Sequence, residues 1–167
     1  MPIYVLDSNF FIQAHRANYP LDVVLSFWEK TKQLADEGKI ISIDKVKNEL
    51  FDKNDALEEW CKSSLPDDFF KSSNDVLAST YPEIIGWANS RRDHYLEKAV
   101  TEFSDVDEAD AFLIAYALAD SENRILVTQE TSEPTRKNKI KIPDVCNEFG
   151  VKSIDTIEML RTLKETF

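Results

Sequence analysis

The sequence predicts a three-layer α/β/α fold built on a parallel sheet of four to five strands, and three observations carry that prediction. Short apolar runs recur at Ile3–Leu6, Ile40–Ile43, Arg124–Thr128 and Val151–Ile154. Segments of helical periodicity separate them, which is the pattern of βαβ units. The first run has no alternation of apolar and polar residues, as expected of a central strand covered on both faces. At 167 residues the chain reads as one domain, 1–167, with residues 54–103 as a helical insertion between the second and third predicted strands.

The elements follow in order. After Ile3–Leu6, residues 21–37 place apolar side chains at 21, 24, 25, 28 and 35, a helical spacing that Gly38 closes. Asp44 is a good N-cap for a helix through Val46, Leu50 and Phe51. Residues 56–63 form a further short helix ahead of Pro66, and 74–103 are helical with Pro82 at a first-turn position. Ser104 and Asp105 open a helix through Asp120, and 130–139 form a polar loop around Pro134. Pro143 to Phe149 is a helix ended by Gly150, and Asp155 caps a last helix from Thr156 to Glu165. Trp28, Trp60 and Trp87 fall on helical apolar positions and read as core.

Composition narrows the function classes. A 43% hydrophobic and 31% charged chain is that of a soluble globular protein. No apolar stretch approaches a membrane span and the N-terminus lacks a basic-then-apolar segment, so the expected location is cytoplasmic, with no membrane partner. Cys61 and Cys146 are far apart and flanked by charge, in keeping with a reducing compartment. His15 and His94 lie in no motif and read as surface or structural residues. A net charge of −11 argues against a protein that coats nucleic acid electrostatically. It leaves room for an enzyme that gathers acids in one metal pocket, and it would attract a partner with a basic surface.

The acids at the predicted strand ends are the informative residues. Asp7 follows the first strand, at the sheet edge where open α/β folds hold ligands; by itself it also reads as a helix cap. Glu130 follows the third strand in Thr128-Gln129-Glu130, repeating the order of strand, hydroxyl and acid, or is a plain loop acid. Glu49 lies on the helix after the second strand, where its alternative is a solvated pair with Lys45 or Lys53. Asp107 and Asp110 share a face of the helix ahead of the third strand. Asp107 fits a capping box with Ser104. Asp110, one turn further in on a helix apolar on nearly every face, would bring a carboxylate into the interior at a cost of several kcal/mol unless a cation meets it. Converging acids with no histidine or cysteine suit Mg²⁺ or Mn²⁺ and metal-assisted hydrolysis.

In this order, Asp7-Ser8-Asn9, Glu49, Asp110 in Asp-Ala-Phe-Leu-Ile-Ala-Tyr-Ala-Leu, and Thr128-Gln129-Glu130 resemble the PIN-domain nucleases. The closest likeness is to the VapC-type toxin ribonucleases of toxin–antitoxin pairs, and it covers most of the chain. The resemblance implies Asp7, Glu49 and Asp110 as core metal ligands and Glu130 in the fourth acidic, catalytic place, where the family usually has aspartate. Asp107 becomes an additional ligand or only a cap, and Asn9 and Thr128 become supporting polar residues. It further implies an endoribonuclease using Mg²⁺ or Mn²⁺, an RNA substrate, a protein antitoxin that occludes the acidic pocket, and a homodimer.

Arg136, Lys137, Lys139 and Lys141 put four positive charges in six residues after Glu130. They read as a solvated loop or as a phosphate-contacting rim for RNA. Arg91-Arg92 is a second, weaker basic candidate. Two rival readings stand beside the nuclease. One is a non-catalytic module of PIN shape; the other is a phosphotransfer α/β domain with Asp7 as nucleophile, disfavoured because Asn9 stands where a second aspartate is usual.

Overall fold

A computed structural model describes residues 2–166. Five strands form one all-parallel sheet in the order β3-β2-β1-β4-β5: β1 is Ile3–Leu6, β2 Ile40–Ile43, β3 Phe70–Lys71, β4 Arg124–Val127 and β5 Ser153–Ile154. The expected α/β class and strand number are borne out. β1 is central and its side chains Tyr4, Val5 and Leu6 are buried, as the unbroken apolar run requires. From β1 the chain winds outward through β2 and β3 to one edge, and through β4 and β5 to the other. The switch of direction therefore lies between β1 and β4, whose register pairs Leu6 with Val127. A crevice at the carboxyl ends of two such strands is where an open parallel sheet presents a ligand site.

Nine α-helices flank the sheet among the described residues: α1 (Ser8–Gln13), α2 (Leu25–Asp36), α3 (Asp44–Leu50), α4 (Ala56–Ser64), α5 (Thr80–Ser90), α6 (Glu97–Phe103), α7 (Ala109–Leu118), α8 (Ile142–Phe149) and α9 (Thr156–Leu163). Local sequence sets several of their ends. Asp55 and Asp155 each accept a hydrogen bond from the backbone N–H three residues on, at 2.9 and 2.8 Å. Pro143 stands in the first turn of α8, and Gly150 ends that helix at φ 71°, a left-handed conformation that costs glycine little. No helix among the described residues is long and apolar enough to cross a membrane.

Helix α7 is the inner wall of the site. Ala109, Ala111 to Ala115 and Ala117 are all buried. Its small residues let α5 approach closely enough for the Thr80 hydroxyl to donate to the Ala115 carbonyl at 2.7 Å. Tyr81 stacks on Phe112 with ring centroids 4.1 Å apart. Truncating Phe112 to alanine would empty that contact at a cost of about 3–5 kcal/mol. Trp28 is buried, while Trp60 and Trp87 are half-buried against the core, as expected.

Several elements differ from the sequence reading. Asp44 is the first residue of α3 rather than its cap, and its carboxylate accepts from the Lys45 N–H and the Ser73 hydroxyl at 2.9 and 2.7 Å. The helix expected over 74–103 divides into a 3-10 turn at Asn74–Val76, α5 and α6. Residues 54–103 are not wholly helical, because Phe70–Lys71 adds a strand beside β2. Two residues are too few to show a period of two. The helix expected from Ser104 starts at Ala109 instead. Residues 104–108 form a turn in which the Asp105 side chain accepts from the Asp107 N–H at 2.9 Å and the Asp105 carbonyl accepts from the Glu108 N–H at 3.1 Å. The capping box of Ser104 with Asp107 therefore does not form.

Candidate active site

Asp7 leaves β1 opposite Thr128, and its N–H extends the β1–β4 ladder to the Val127 carbonyl at 3.0 Å. Although Asp7 stands at the N-cap of α1, its side chain makes no cap hydrogen bond. The carboxylate, in a residue only 2% exposed, accepts from the Thr128 hydroxyl at 3.1 Å and the Ser8 hydroxyl at 3.4 Å. Burial, then the nearby Glu130 and Glu49 charges, push the Asp7 pKa up to about 6, against the opposing pull of the Thr128 and Ser8 bonds. The buried Thr128 hydroxyl also accepts the Glu130 N–H at 3.2 Å, so one oxygen links the acid after β1 to the one after β4.

Asp110 lies in the first turn of α7, not a turn deeper, since the helix begins only one residue before it. The helix dipole favours a negative charge there. Burial nevertheless raises its pKa well above the ordinary aspartate range, reinforced by Asp7, Glu130 and Glu49 and relieved in part by Lys139. Glu49, on α3, accepts from the Ala109 N–H at 3.2 Å and so caps α7 beside Asp110. The alternative pairing with Lys45 or Lys53 is not formed. Lys45 instead donates to the Val106 carbonyl at 2.9 Å, so α3 holds the start of α7 at two points. Glu130 accepts from the Ile142 N–H, the first of α8, at 2.7 Å and pairs with the Lys139 ammonium at 3.1 Å. Four acids thus meet in one electrostatic neighbourhood from β1, α3, α7 and the loop after β4.

The chain matches the model of a family described as a domain of unknown function, DUF4411, over residues 4–167. It belongs to the DUF4411 family. No curated protein matches it. Among solved structures it is similar to the crystal structure of VapBC2 from Rickettsia felis bound to a DNA fragment from their promoter, with 16% identity and a TM-score of 0.47. That likeness covers 92% of this chain and 98% of the other.

In this DUF4411 chain the donor set is all carboxylate, the chemistry of a hard divalent cation. Like charges brought together in a poorly hydrated site hold a proton or a cation, and the raised pKa values of Asp7 and Asp110 record that demand. The carboxylates are not drawn up as a cage. Among the described residues no three acids, histidines or cysteines stand close enough to grip one ion. Glu49 and Glu130 are turned instead toward the N-termini of α7 and α8. A cavity of about 20 Å³, room for one water-sized body, opens between Asp110 and Lys139, with Glu102 and Glu108 also on its wall.

Glu108 is a site residue that the sequence reading passed over. Burial first, then Glu49, Glu102 and Asp105, raise its pKa. Nothing local distinguishes it from Asp107, which lies exposed in the turn and is not among the charges acting on Asp7 or Asp110. Asn9 is half-buried in α1. The basic run is largely neutralised within its own loop. Arg136 and Lys141 pair with Glu133 at 3.4 and 3.3 Å, and Lys139 with Glu130. Lys137 is exposed, and its carbonyl accepts the Leu96 N–H at 2.9 Å. Arg91 lies over the Trp87 and Tyr95 rings, and Arg92 pairs with Glu97.

Proposed function

We propose that this chain is a metal-dependent endoribonuclease, the toxin of a toxin–antitoxin pair. One observation supports the reading above the rest: buried Asp7 and half-buried Asp110 lie with Glu49 and Glu130 in one acidic neighbourhood at the switch point of the sheet, and no cation bonds to either aspartate among the described residues. A purely structural carboxylate would be paired or exposed. Asp7, Asp110 and Glu49 would hold Mg²⁺ or Mn²⁺, with Glu130 beside them. When bound, the metal activates water and stabilises charge developing on the phosphate. The protein's own part is positional. Thr128 fixes the Asp7 carboxylate through its hydroxyl, α7 sets Asp110 through a helix end that Glu49 caps, and the apolar wall of α7 keeps bulk water away. Glu130, one methylene longer than the aspartate usual in the PIN-domain nucleases that the sequence resembles, supports the site from the α8 side. By the same resemblance a protein antitoxin would cover this acidic edge, and the active toxin would be a homodimer in the cytoplasm.

Cleavage of a mixed RNA pool by purified protein with Mn²⁺, Mg²⁺ or chelator, beside Asp110→Asn, tests the proposal. Metal-dependent cleavage that falls to background in the variant is the expected result. Folded protein that cleaves nothing under any metal would sink it. A non-catalytic module of the same shape is the second reading, favoured by one observation: Glu49 and Glu130 are already engaged by helix N-termini. Calorimetric titration with Mn²⁺ separates the two, since the module has no affinity for the ion.

A further inference from the structure

The loop expected to meet nucleic acid spends most of its charge on its own glutamates, and unpaired cations stand elsewhere. A cleft of about 280 Å³ lies on the Glu49 side of the acidic edge, lined by Ile12, His15, Arg16, Glu49, Lys53 and Asp55 among others. Its two acids each accept one backbone N–H, Glu49 from Ala109 and Asp55 from Glu58, which fixes their carboxylates at helix starts. Arg16 and Lys53 are exposed and form no ion pair among the described residues. His15 accepts the Leu21 N–H at Nδ1, which leaves its other ring nitrogen as the N–H donor.

The backbone presents these cations with unusual conformations on both walls. Residues 14–18 form a turn of π-helix, a rare element that re-aims side chains and recurs at functional sites. Lys53 stands between Asp52 and Asn54, at φ 64° and φ 53°, both left-handed and neither glycine. Its N–H is pinned to the Glu58 carboxylate at 3.1 Å. In a chain of net charge −11, this concave surface sets two unpaired cations and a histidine N–H beside two hydrogen-bonded carboxylates, one of them a proposed metal ligand.

We propose that this cleft binds the phosphodiester backbone of a single-stranded RNA, with Arg16 and Lys53 on successive phosphates, and leads the strand to the acidic edge at Glu49. The assignment rests on the ribonuclease reading and supplies its substrate track. Phosphate contacts of this kind position a strand without reading its sequence. Arg16 and Lys53 are positioning residues, remote from the reacting bond.

The test uses a labelled single-stranded oligoribonucleotide of about ten nucleotides, followed by fluorescence anisotropy in chelator so that none is cut. The Arg16→Ala/Lys53→Ala variant is expected to bind about tenfold more weakly, with its log–log salt slope reduced by about 1.4, the release of two phosphate contacts on a single strand. Arg16→Lys/Lys53→Arg keeps the charges and should keep the slope. An unchanged slope in the alanine variant, or no binding by the unaltered protein, overturns the proposal. Cleavage with Mn²⁺ is scored separately. Metal-dependent cleavage with an unaltered KM in the alanine variant removes the cleft and leaves the nuclease. Cleft-dependent binding without cleavage under any metal removes the nuclease and leaves the cleft.

Discussion

The acids at the ends of β1 and α7 and the basic loop after β4 are both dense in charge, yet the fold treats them in opposite ways. Asp7 is buried and Asp110 half-buried, and among the described residues neither forms an ion pair. Of the cations of residues 136–141 only Lys137 is exposed, the others lie half-buried at the surface, and those three each find a glutamate within their own loop. In water such pairs form by proximity and contribute little. In the interior an uncompensated carboxylate costs several kcal/mol, and such groups cluster at functional sites. A dense charge run is therefore a weaker guide to a site than two isolated acids beside apolar strands.

The largest expected effect tests the buried side. Folded Asp7 titrates near 6 against an ordinary 3.8, so the native state holds its proton more tightly than the unfolded chain does. Its contribution is full below about pH 4 and is lost as pH rises through 6, a loss of roughly 3 kcal/mol by pH 8. Asp110 acts in the same direction. Urea titrations of metal-free protein from pH 5 to pH 8 should show stability falling, with Asp7→Asn flattening the curve. A flat curve for the unaltered protein would break the comparison. Mn²⁺ should raise the thermal midpoint more at pH 8 than at pH 5, because only the ionised acids bind it.

Thr128→Val comes next. It removes the hydroxyl that donates to Asp7 and accepts from Glu130, and should cost about 1–3 kcal/mol at pH 8 and less at pH 5. Equal losses at both pH values would mean that the hydroxyl serves packing alone. Lys139→Met removes the half-exposed partner of a nearly buried Glu130 carboxylate, and a loss of about 1–2 kcal/mol is expected by chemical denaturation. Smallest of all, Arg136→Ala should change stability by no more than about 0.5 kcal/mol, since Lys141 still faces Glu133. A loss of 2 kcal/mol there would show that the loop pairs are structural.

What the sequence disclosed divides along the same line. The central strands were legible because burial on both faces leaves an unbroken apolar run, and Asp7 because it ends one. Helices capped from within, such as α9 by Asp155, were legible too. The start of α7 was not, because its cap comes from Glu49, 60 residues earlier, while Ser104 and Asp105 offer a nearer and false signal. The same holds for Glu130 at the head of α8 and for the unpaired state of Arg16 and Lys53. Periodicity records which face of an element is buried, not which distant residue meets its end.

The placement of β1 between β2 and β4 also governs when the site comes into being. Thr128 lies 121 residues after Asp7, and no nearer strand can take its place along that edge. During synthesis β1 and β2 can associate early, but the other edge of β1 stays open until β4 has been made, and a long-range parallel pairing of this kind is slow to close. Asp7 and Glu49 wait, separated, for Asp110 and Glu130. Whatever chemistry they perform together is denied to the unfinished polypeptide and begins only when the sheet is whole.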